Sequence, residues 1–334
     1  MVMIVTAKVL SIPAEIQTVF SVIWMLNHMQ GFIKFIPNTI LKFNSAAACI
    51  RRLKRFLDLP DFTENFLDAY PFDDLPVEVL NDLKPERIIL DQVSVFYGND
   101  CVLKNISAQF NLNEATSIIG KVGSGKTTLI RVLMGEIKPQ KGKVMVRFKG
   151  GITADLWHRN IHETIRAFTG YVGQEPYLSN ATLAGNISLD ETADEKKVMQ
   201  DIYFASLQAD IETFEKGIHQ EIGENGINLS GGQKQRVNLA RGFYSSREFL
   251  ILDDPLSAVD SETESIVMDS IFENTKHFIL VSHRLDELRR TDRLIALKEG
   301  EIVEDGDPKV LHTRDDSYYK RQLLRNGENK NKDA

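Results

Sequence analysis

The chain has 334 residues, of which 43% are hydrophobic and 26% charged, and these values are typical of a globular protein with one large or two smaller domains. Its formal net charge of −7 and its pI near 5.6 argue against a nucleic-acid-binding protein, which would usually show a basic face. The two cysteines, Cys49 and Cys101, form no CxxC pattern, so they predict reduced thiols in a cytoplasm-like compartment and neither a disulfide framework nor a metal site.

A largely apolar stretch dominates the first quarter of the chain. Residues 16–41, IQTVFSVIWMLNHMQGFIKFIPNTIL, are long enough to cross a bilayer, which takes about 20 residues. Polar residues such as Asn27, His28 and Lys34 interrupt the stretch, and an amphipathic or buried helix is the alternative interpretation. Two features favour a membrane helix: the polar residues can face a helix bundle, and a positive excess typical of the cytoplasmic side follows, at Lys42, Arg51, Arg52, Lys54 and Arg55.

The composition then divides the chain into four parts. We predict the end of a helical membrane domain at residues 1–57, with a membrane helix at about 14–42 and helix continuing to Leu57. Residues 58–86 are acidic and contain prolines, which predicts a linker. Residues 87–325 have the pattern of an α/β domain, and residues 326–334 are predicted to be a disordered tail.

The α/β domain opens with three predicted strands, RIILDQVSVFYG, VLKNISAQF and TSIIG. The third leads into GKVGSGKTTLIRVLMG, where Gly120, Gly125, Lys126 and Thr127 satisfy the phosphate-loop spacing G-x-x-x-x-G-K-T between a strand and an amphipathic helix. Backbone N–H groups of such a loop surround a phosphate, the lysine reaches the β and γ phosphates, and the threonine hydroxyl ligates magnesium. A chance glycine-rich turn would rarely show strand, motif and helix in this order. The sequence therefore predicts binding of a nucleoside triphosphate with Mg²⁺ by this loop, including Gly123, Ser124 and Thr128.

A second helix start carries small residues suited to an anion. Ser230 precedes Gly231, Gly232 and Gln233 in INLSGGQKQRVNLARGF, residues 227–243, with serine in the capping position. This segment resembles the LSGGQ signature of the ATP-binding cassette (ABC) family, and the resemblance extends over roughly residues 88–324. It implies an α/β fold of the P-loop NTPase class, with a mostly parallel sheet core and a helical signature subdomain. In that family the signature binds the nucleotide of a second domain.

The resemblance also implies roles for the remaining motifs. FLILDD matches the family's second magnesium motif, so Asp253 is the expected metal acid, together with Thr127 and Gln174. Gln174 lies in GYVGQEPYL, which matches the Q-loop with Gly173 in place of a proline; SAVD, residues 257–260, matches the D-loop. His283 in LVSHRL matches the switch histidine, although a lone histidine is more often a surface or core residue. Tyr97 matches the aromatic that stacks on adenine, with Phe96 as the weaker alternative. The implied catalytic residues are Lys126, Gln174, Asp254 and His283.

Asp254 departs from the family pattern, because fast sites carry glutamate at this position. Aspartate is one methylene shorter, so the sequence predicts tight binding of ATP and slow hydrolysis. The alternative is that Asp254 caps the turn before Pro255.

Three functions remain open. The leading prediction is the ATPase part of an ABC exporter, because EIGENG before the signature and SNATLAGNI after the Q-loop resemble exporter sequences. GKVGSGKTTL and DDPLSAVD resemble the first nucleotide-binding domain of the multidrug-resistance-associated subfamily. An importer ATPase would normally begin near the first strand, and a weakly hydrolysing regulatory module is kept open by Asp254.

The resemblance implies partners and a location as well. It implies head-to-tail pairing with a second nucleotide-binding domain, in a homodimer or heterodimer, and contact with transmembrane helices. The assembly is expected to be a multi-pass membrane protein with this domain on the cytoplasmic side. Since the family's membrane domain typically has six helices, we expect a fragment, a start placed too late, or a split subunit.

Overall fold

The structure, a computed structural model, describes residues 14–57, 84–190, 193–245 and 247–330. They belong to two compact units of the chain, residues 1–65 and 66–334. Residues 58–83 of the predicted linker lie outside the described residues, and the predicted domain boundaries stay a prediction.

The described part of the first unit is one long helix, α1 (Ala14–Leu57), which confirms the predicted helix as far as Leu57. Large apolar side chains are exposed along it, among them Val19, Phe20, Ile23, Trp24 and Leu41. Among the described residues, no helix combines the length and the apolar character needed to cross a membrane. The predicted membrane helix at about residues 14–42 is therefore not confirmed, because polar side chains such as Asn27 and Lys34 lower the hydropathy of the run.

The second unit alternates strands and helices. Its strands are β1 (Pro85–Tyr97), β2 (Asp100–Asn111), β3 (Ala115–Gly120), β4 (Lys141–Phe148), β5 (Thr153–Asp155), β6 (Thr169–Val172), β7 (Phe249–Asp253), β8 (Phe278–Val281), β9 (Arg293–Lys298) and β10 (Glu301–Gly306). Its described helices are α2 (Lys126–Leu133), α3 (Arg159–Phe168), α4 (Leu183–Ser188), α5 (Glu195–Phe204), α6 (Gln208–Ile211), α7 (Gly231–Tyr244), α8 (Ser261–Asn274), α9 (Pro308–Leu311) and α10 (Tyr318–Lys330). The strands predicted at the start of the α/β domain are confirmed.

The strands form two sheets. One is antiparallel, with the order β2-β1-β4-β5. The other has the order β10-β9-β3-β8-β7-β6, in which β9, β3, β8, β7 and β6 are parallel and β10 is antiparallel. Every residue of β7 and β8 is buried, as expected for apolar strands covered on both faces.

Alternation along the parallel strands divides the core into two layers. Ile251 of β7 and Ile279 of β8 lie in a cluster shared with the antiparallel sheet, α2 and α3. Leu252 and Leu280 lie in a second cluster, with α8 and the first turn of α10. A third cluster holds α4, α5 and part of α7, and it forms the core of the helical region that carries the signature.

Helix α10 is anchored at its start by a carboxylate of β10. The carboxylate of Glu304 accepts hydrogen bonds from the backbone N–H groups of Tyr318 and Tyr319, which anchors the start of the helix. The helix continues to Lys330, and the tail predicted for residues 326–334 stays a prediction. Polar composition does not end a helix whose first turn is anchored in this way.

One buried carboxylate in the helical region is poorly compensated. Asp201 of α5 is 5% exposed, and its Oδ2 atom has no hydrogen-bond partner among the described residues. Burial raises the pKa of Asp201 to about 6, and nearby Lys197 opposes the rise only in part. Because the folded pKa is raised, the folded state binds more protons than the unfolded state between about pH 4 and pH 6. Stability therefore falls as pH rises through this window.

We predict that Asp201→Asn stabilises the protein at pH 7.5, by at most about 3 kcal/mol, because the uncharged amide removes the burial cost of the carboxylate. Urea denaturation of both proteins measures the free energy of unfolding. The difference should shrink as the pH is lowered from 7.5 to 4.5. The matched control is Asp100→Asn, a change at an exposed hairpin carboxylate, which should leave the free energy of unfolding unchanged. A less stable Asp201→Asn variant at pH 7.5 would contradict the assignment.

Candidate nucleotide-binding and catalytic site

Four neighbouring parallel strands deliver the predicted site residues to one edge of the sheet. In the order β3-β8-β7-β6, each strand ends at a predicted motif: the phosphate loop, His283, Asp253 with Asp254, and Gln174. The carboxyl ends of neighbouring parallel strands meet at the same edge, where ligands of open α/β sheets bind. The register confirms this for β7 and β8, since Asp253 pairs with Val281 and the N–H of Asp254 donates to the carbonyl of Val281.

The phosphate loop has the backbone geometry that its glycines permit. Gly125 has a φ of 99°, in the left-handed region that favours glycine, and a Cβ atom there would lie 2.8 Å from Cδ2 of Leu103. Helix α2 begins at the next residue, and no side chain caps its start. The N-terminal N–H groups of α2 are therefore presented at the end of β3.

Two side chains of the loop, Lys126 and Ser124, are placed where they can bind an anion. The Lys126 Nζ atom donates to the carbonyls of Gly120 (2.8 Å) and Lys121 (3.0 Å), and so lies over its own loop. Burial lowers the pKa of Lys126, while the charges of Asp253 and Asp254 oppose the decrease. The Ser124 hydroxyl is buried without a hydrogen-bond partner among the described residues. A buried hydroxyl is normally satisfied, so a phosphate oxygen is a fitting partner for Ser124.

Oxygen ligands suited to Mg²⁺ meet beside this loop. Asp253 is buried at the end of β7, and burial raises the pKa of its carboxyl. A hydrogen bond from the Thr127 hydroxyl and the charge of Lys126 oppose the rise, and the charge of Asp254 adds to it. A buried carboxylate beside a hydroxyl and a second carboxylate is the hard oxygen set that Mg²⁺ prefers. These residues therefore fit a magnesium ion.

Asp254 lies between Gln174 and His283. The Gln174 Nε2 atom donates to Oδ2 of Asp254 at 3.4 Å, and the His283 Nε2 atom lies 3.9 Å from the same oxygen. Burial raises the pKa of Asp254, while His283 and Lys126 lower it. Its φ is 50°, a left-handed conformation that aspartate tolerates better than most residues. Among the described residues, its carboxylate makes no hydrogen bond to the following turn, which does not support the capping alternative.

The signature helix starts at Ser230 as predicted. The Ser230 hydroxyl accepts from the N–H of Gln233, and the Gln233 side chain accepts from the N–H of Ser230, which forms a capping box. Ser230 and Gly231 are exposed. Among the described residues, no hydrogen bond or ion pair joins residues 230–233 to the phosphate loop, and this exposed helix start is open to another molecule.

Of the two predicted adenine-stacking residues, Tyr97 is the more available. It is 49% exposed at the end of β1. Phe96 is partly buried, and the Lys141 Nζ atom lies 5.8 Å from the centre of its ring. An exposed aromatic ring face can stack on a base.

The structure also brings in a residue that the sequence analysis missed. Gln235 is a polar residue on the buried face of α7, and its side chain bonds to both the Q-loop and the D-loop. The signal was present in the sequence, because Gln235 and Asn238 are polar positions three apart among apolar residues of this helix.

Comparison with known proteins gives consistent matches. Residues 103–257 match the sequence profile of the family described as ABC transporter. The chain is 31% identical over 316 residues to ABC transporter C family member 8 of Dictyostelium discoideum, covering 93% of this chain and 18% of that protein. It is 30% identical over 319 residues to the mycobactin import ATP-binding/permease protein IrtB of Mycolicibacterium smegmatis, covering 94% of this chain and 52% of that protein.

A solved structure shows the same fold. The structure of a bacterial Atm1-family ABC exporter with ATP bound superposes with a TM-score of 0.66 at 28% identity, covering 73% of this chain and 42% of that one. The chain thus spans between about a fifth and about half of the length of these relatives. The matches confirm the predicted family, and the chain contains the P-loop nucleotide-binding ATPase domain of the ABC transporters.

Proposed function

We propose that this chain is the ATP-hydrolysing part of an ABC exporter, in which pairing of two nucleotide-binding domains around ATP drives transport across a membrane. The observation that carries the proposal is the meeting of the phosphate loop, Gln174, Asp253, Asp254 and His283 at one edge of the parallel sheet. The relatives support it, since one is named an ATP-binding/permease protein and the solved neighbour is named an ABC exporter.

The nucleotide is held by one domain and enclosed by another. Tyr97 stacks on the base, while Lys126, Ser124 and the N–H groups of α2 hold the phosphates. The exposed start of the signature helix, Ser230 to Gln233, has no tie to its own phosphate loop among the described residues, which supports a role toward the nucleotide of a second domain. That domain is either a second copy of this chain or a related one.

Hydrolysis is a matter of positioning and charge. Mg²⁺, held by Thr127, Asp253 and Gln174, would neutralise phosphate charge when bound. Asp254 orients the attacking water and accepts its proton; the new P–O bond forms at the γ phosphorus, and the bond to the β–γ bridging oxygen breaks to release ADP. His283 and Lys126 donate hydrogen bonds to the phosphoryl oxygens.

Coupling to transport requires a membrane domain. We propose that transmembrane helices contact this domain on the cytoplasmic side of a membrane, and that closure of the domain pair rearranges them. Helix α1, which exposes apolar side chains along its length, is the part of this chain proposed to pack against those helices.

A second candidate function is a regulatory module that binds ATP and hydrolyses it slowly. The short side chain of Asp254 favours this alternative, because a displacement of about 1 Å in a catalytic group can cost about 100-fold in rate. The two candidates differ in the hydrolytic rate of the assembled pair.

Lys126→Ala should weaken binding of Mg-ATP by at least about 100-fold, because the buried triphosphate loses its main compensating cation. Isothermal titration calorimetry with the full chain measures the affinity. The control is Lys143→Ala, which removes an exposed lysine of β4 and should bind Mg-ATP normally. Unchanged affinity of the Lys126→Ala variant would contradict the assignment of the phosphate loop.

Ser230→Arg should leave the affinity of the monomer for ATP within about twofold and abolish pairing driven by ATP, because the bulky cation blocks the helix start that serves the second domain. Sedimentation velocity with and without Mg-ATP follows the pairing. Ser265→Arg, the same change at an exposed serine of α8, is the matched control and should pair normally. Normal pairing of Ser230→Arg would exclude the two-domain site for this protein.

Asp254→Glu should raise the rate of hydrolysis by about 10-fold or more at unchanged KM for ATP, because the longer side chain regains reach toward the water. The left-handed conformation costs glutamate about 1 kcal/mol, which lowers the stability of the variant and leaves the barrier to hydrolysis unchanged. Asp254→Asn should lower the rate further, since the amide is no base. Steady-state phosphate release by the assembled pair measures both. A rate for Asp254→Glu at or below that of the wild type would rule out the short-reach explanation.

A further inference from the structure

Gln235 stands out because one buried side chain joins two exposed loops. It lies on α7, five residues after Ser230, and is 4% exposed. Its Nε2 atom donates to the Ser257 hydroxyl at 2.8 Å and to the carbonyl of Gln174 at 3.3 Å, and its Oε1 atom accepts from the N–H of Ala258 at 2.7 Å. The amide of Gln235 is therefore satisfied by two other segments of the chain.

These bonds complete a ring around Asp254. The carboxylate of Asp254 accepts from the side chain of Gln174, and the carbonyl of Gln174 accepts from Gln235. Gln235 also bonds to Ser257, and the backbone runs from Asp254 to Ser257 in three residues. The position of Asp254 relative to the Q-loop is thus set both by a direct bond and by the path through Gln235.

Other residues of α7 bond to the Q-loop without reaching the D-loop. The Asn238 side chain donates to the carbonyl of Gly173 at 3.2 Å, and Arg241 donates to the carbonyl of Tyr177 at 2.8 Å. Among the described residues of α7, Gln235 alone has side-chain hydrogen bonds to both loops. Asn238 therefore supplies a matched comparison, because it resembles Gln235 in burial and in its bond to the Q-loop.

The D-loop also lies directly against the start of α7. A Cβ atom at Gly232 would lie 3.0 Å from the carbonyl oxygen of Ala258, so glycine allows the close approach of the D-loop backbone. A displacement of the helix start would therefore also displace the D-loop. Through its bond to the carbonyl of Gln174, Gln235 would displace the Q-loop as well.

We propose that Gln235 is a positioning residue that holds the Q-loop, the D-loop and the signature helix together as one unit around Asp254. Under the function proposed above, Ser230 at the start of this helix binds the nucleotide of the second domain. When that nucleotide binds, Gln235 changes or fixes the position of Asp254 in the ATP site of its own domain. In this way Gln235 couples the two ATP sites. Ser257 and Ala258 are exposed, so water can form hydrogen bonds to their polar groups in place of Gln235. Loss of Gln235 should therefore disturb the positions of the Q-loop and the D-loop more than it lowers the free energy of unfolding.

The test compares two near-isosteric changes in the full chain. Gln235→Met keeps the length of the side chain and removes all three bonds, whereas Asn238→Leu keeps the shape and removes only the bond to Gly173. Gln235→Met should lower kcat about 10-fold with the KM for ATP within about twofold, and Asn238→Leu should lower kcat by less than about twofold. An equal loss of kcat in the two variants would overturn the proposal.

The variant Ser257→Ala tests whether the effect of Gln235 on kcat passes through Ser257. If Gln235 acts through Ser257, the double variant Gln235→Met with Ser257→Ala should have the same kcat as Gln235→Met alone. A double variant whose losses multiply would show that the two residues act independently and would overturn the proposal. Should Gln235→Met fail to fold, Gln235→Glu replaces it. Its carboxylate still accepts from the N–H of Ala258 and accepts from the Ser257 hydroxyl in place of the lost donation, whereas the donation to the carbonyl of Gln174 is lost. It should then lower kcat with the exchange of the D-loop unchanged.

Hydrogen exchange separates failure of this proposal from failure of the proposed function. Amide exchange at residues 257–260 of the full chain should quicken by at least about threefold in Gln235→Met and stay unchanged in Asn238→Leu. A wild-type chain that hydrolyses no ATP would refute the proposed function, and the exchange result would still decide whether Gln235 holds the D-loop. Unchanged exchange in Gln235→Met would overturn the proposal whatever the hydrolytic rate.

Discussion

Parallel pairing of β3, β8, β7 and β6 is the constraint on which the site depends. Strands β8, β7 and β6 each end within two residues of a side chain that the proposed chemistry needs, and β3 ends at the phosphate loop. Parallel pairing sends all four ends to one edge. Strands β7 and β8 are buried on both faces, and packing on each face fixes their register. A shift of β7 by one residue would exchange its two faces and turn Asp253 away from Thr127. The hydrophobic core thereby sets the positions of the charged groups.

The charges at this edge are arranged as a cation among carboxylates. Burial disfavours the charged forms of Lys126, Asp253 and Asp254. Opposite charges nearby partly cancel this effect on the pKa of each of the three groups. Two carboxylates held close together raise the pKa of one another, as Asp254 does for Asp253. Such a cluster is costly to fold without a ligand, and a phosphate chain with a divalent cation would complete it.

Much of this could be predicted from sequence, for a physical reason. The phosphate loop, the capping Ser230 and the acids at the end of β7 lie in motifs that are contiguous in the chain, so spacing identifies the loop and the family resemblance of the other motifs implies their roles. Gln235 could not be assigned in the same way, because its partners Gln174 and Ser257 become neighbours only in the folded domain.

The proposed function requires that ATP lie between the phosphate loop of one domain and the signature helix of another. The most direct measurement is a structure of the assembled pair with Mg²⁺ and a non-hydrolysable ATP analogue. We expect the γ phosphate within hydrogen-bonding distance of Lys126 and the Ser124 hydroxyl, with the start of a second domain's signature helix on its other side. A nucleotide bound at the phosphate loop with no signature helix facing it, or bound at another place, would exclude the two-domain site.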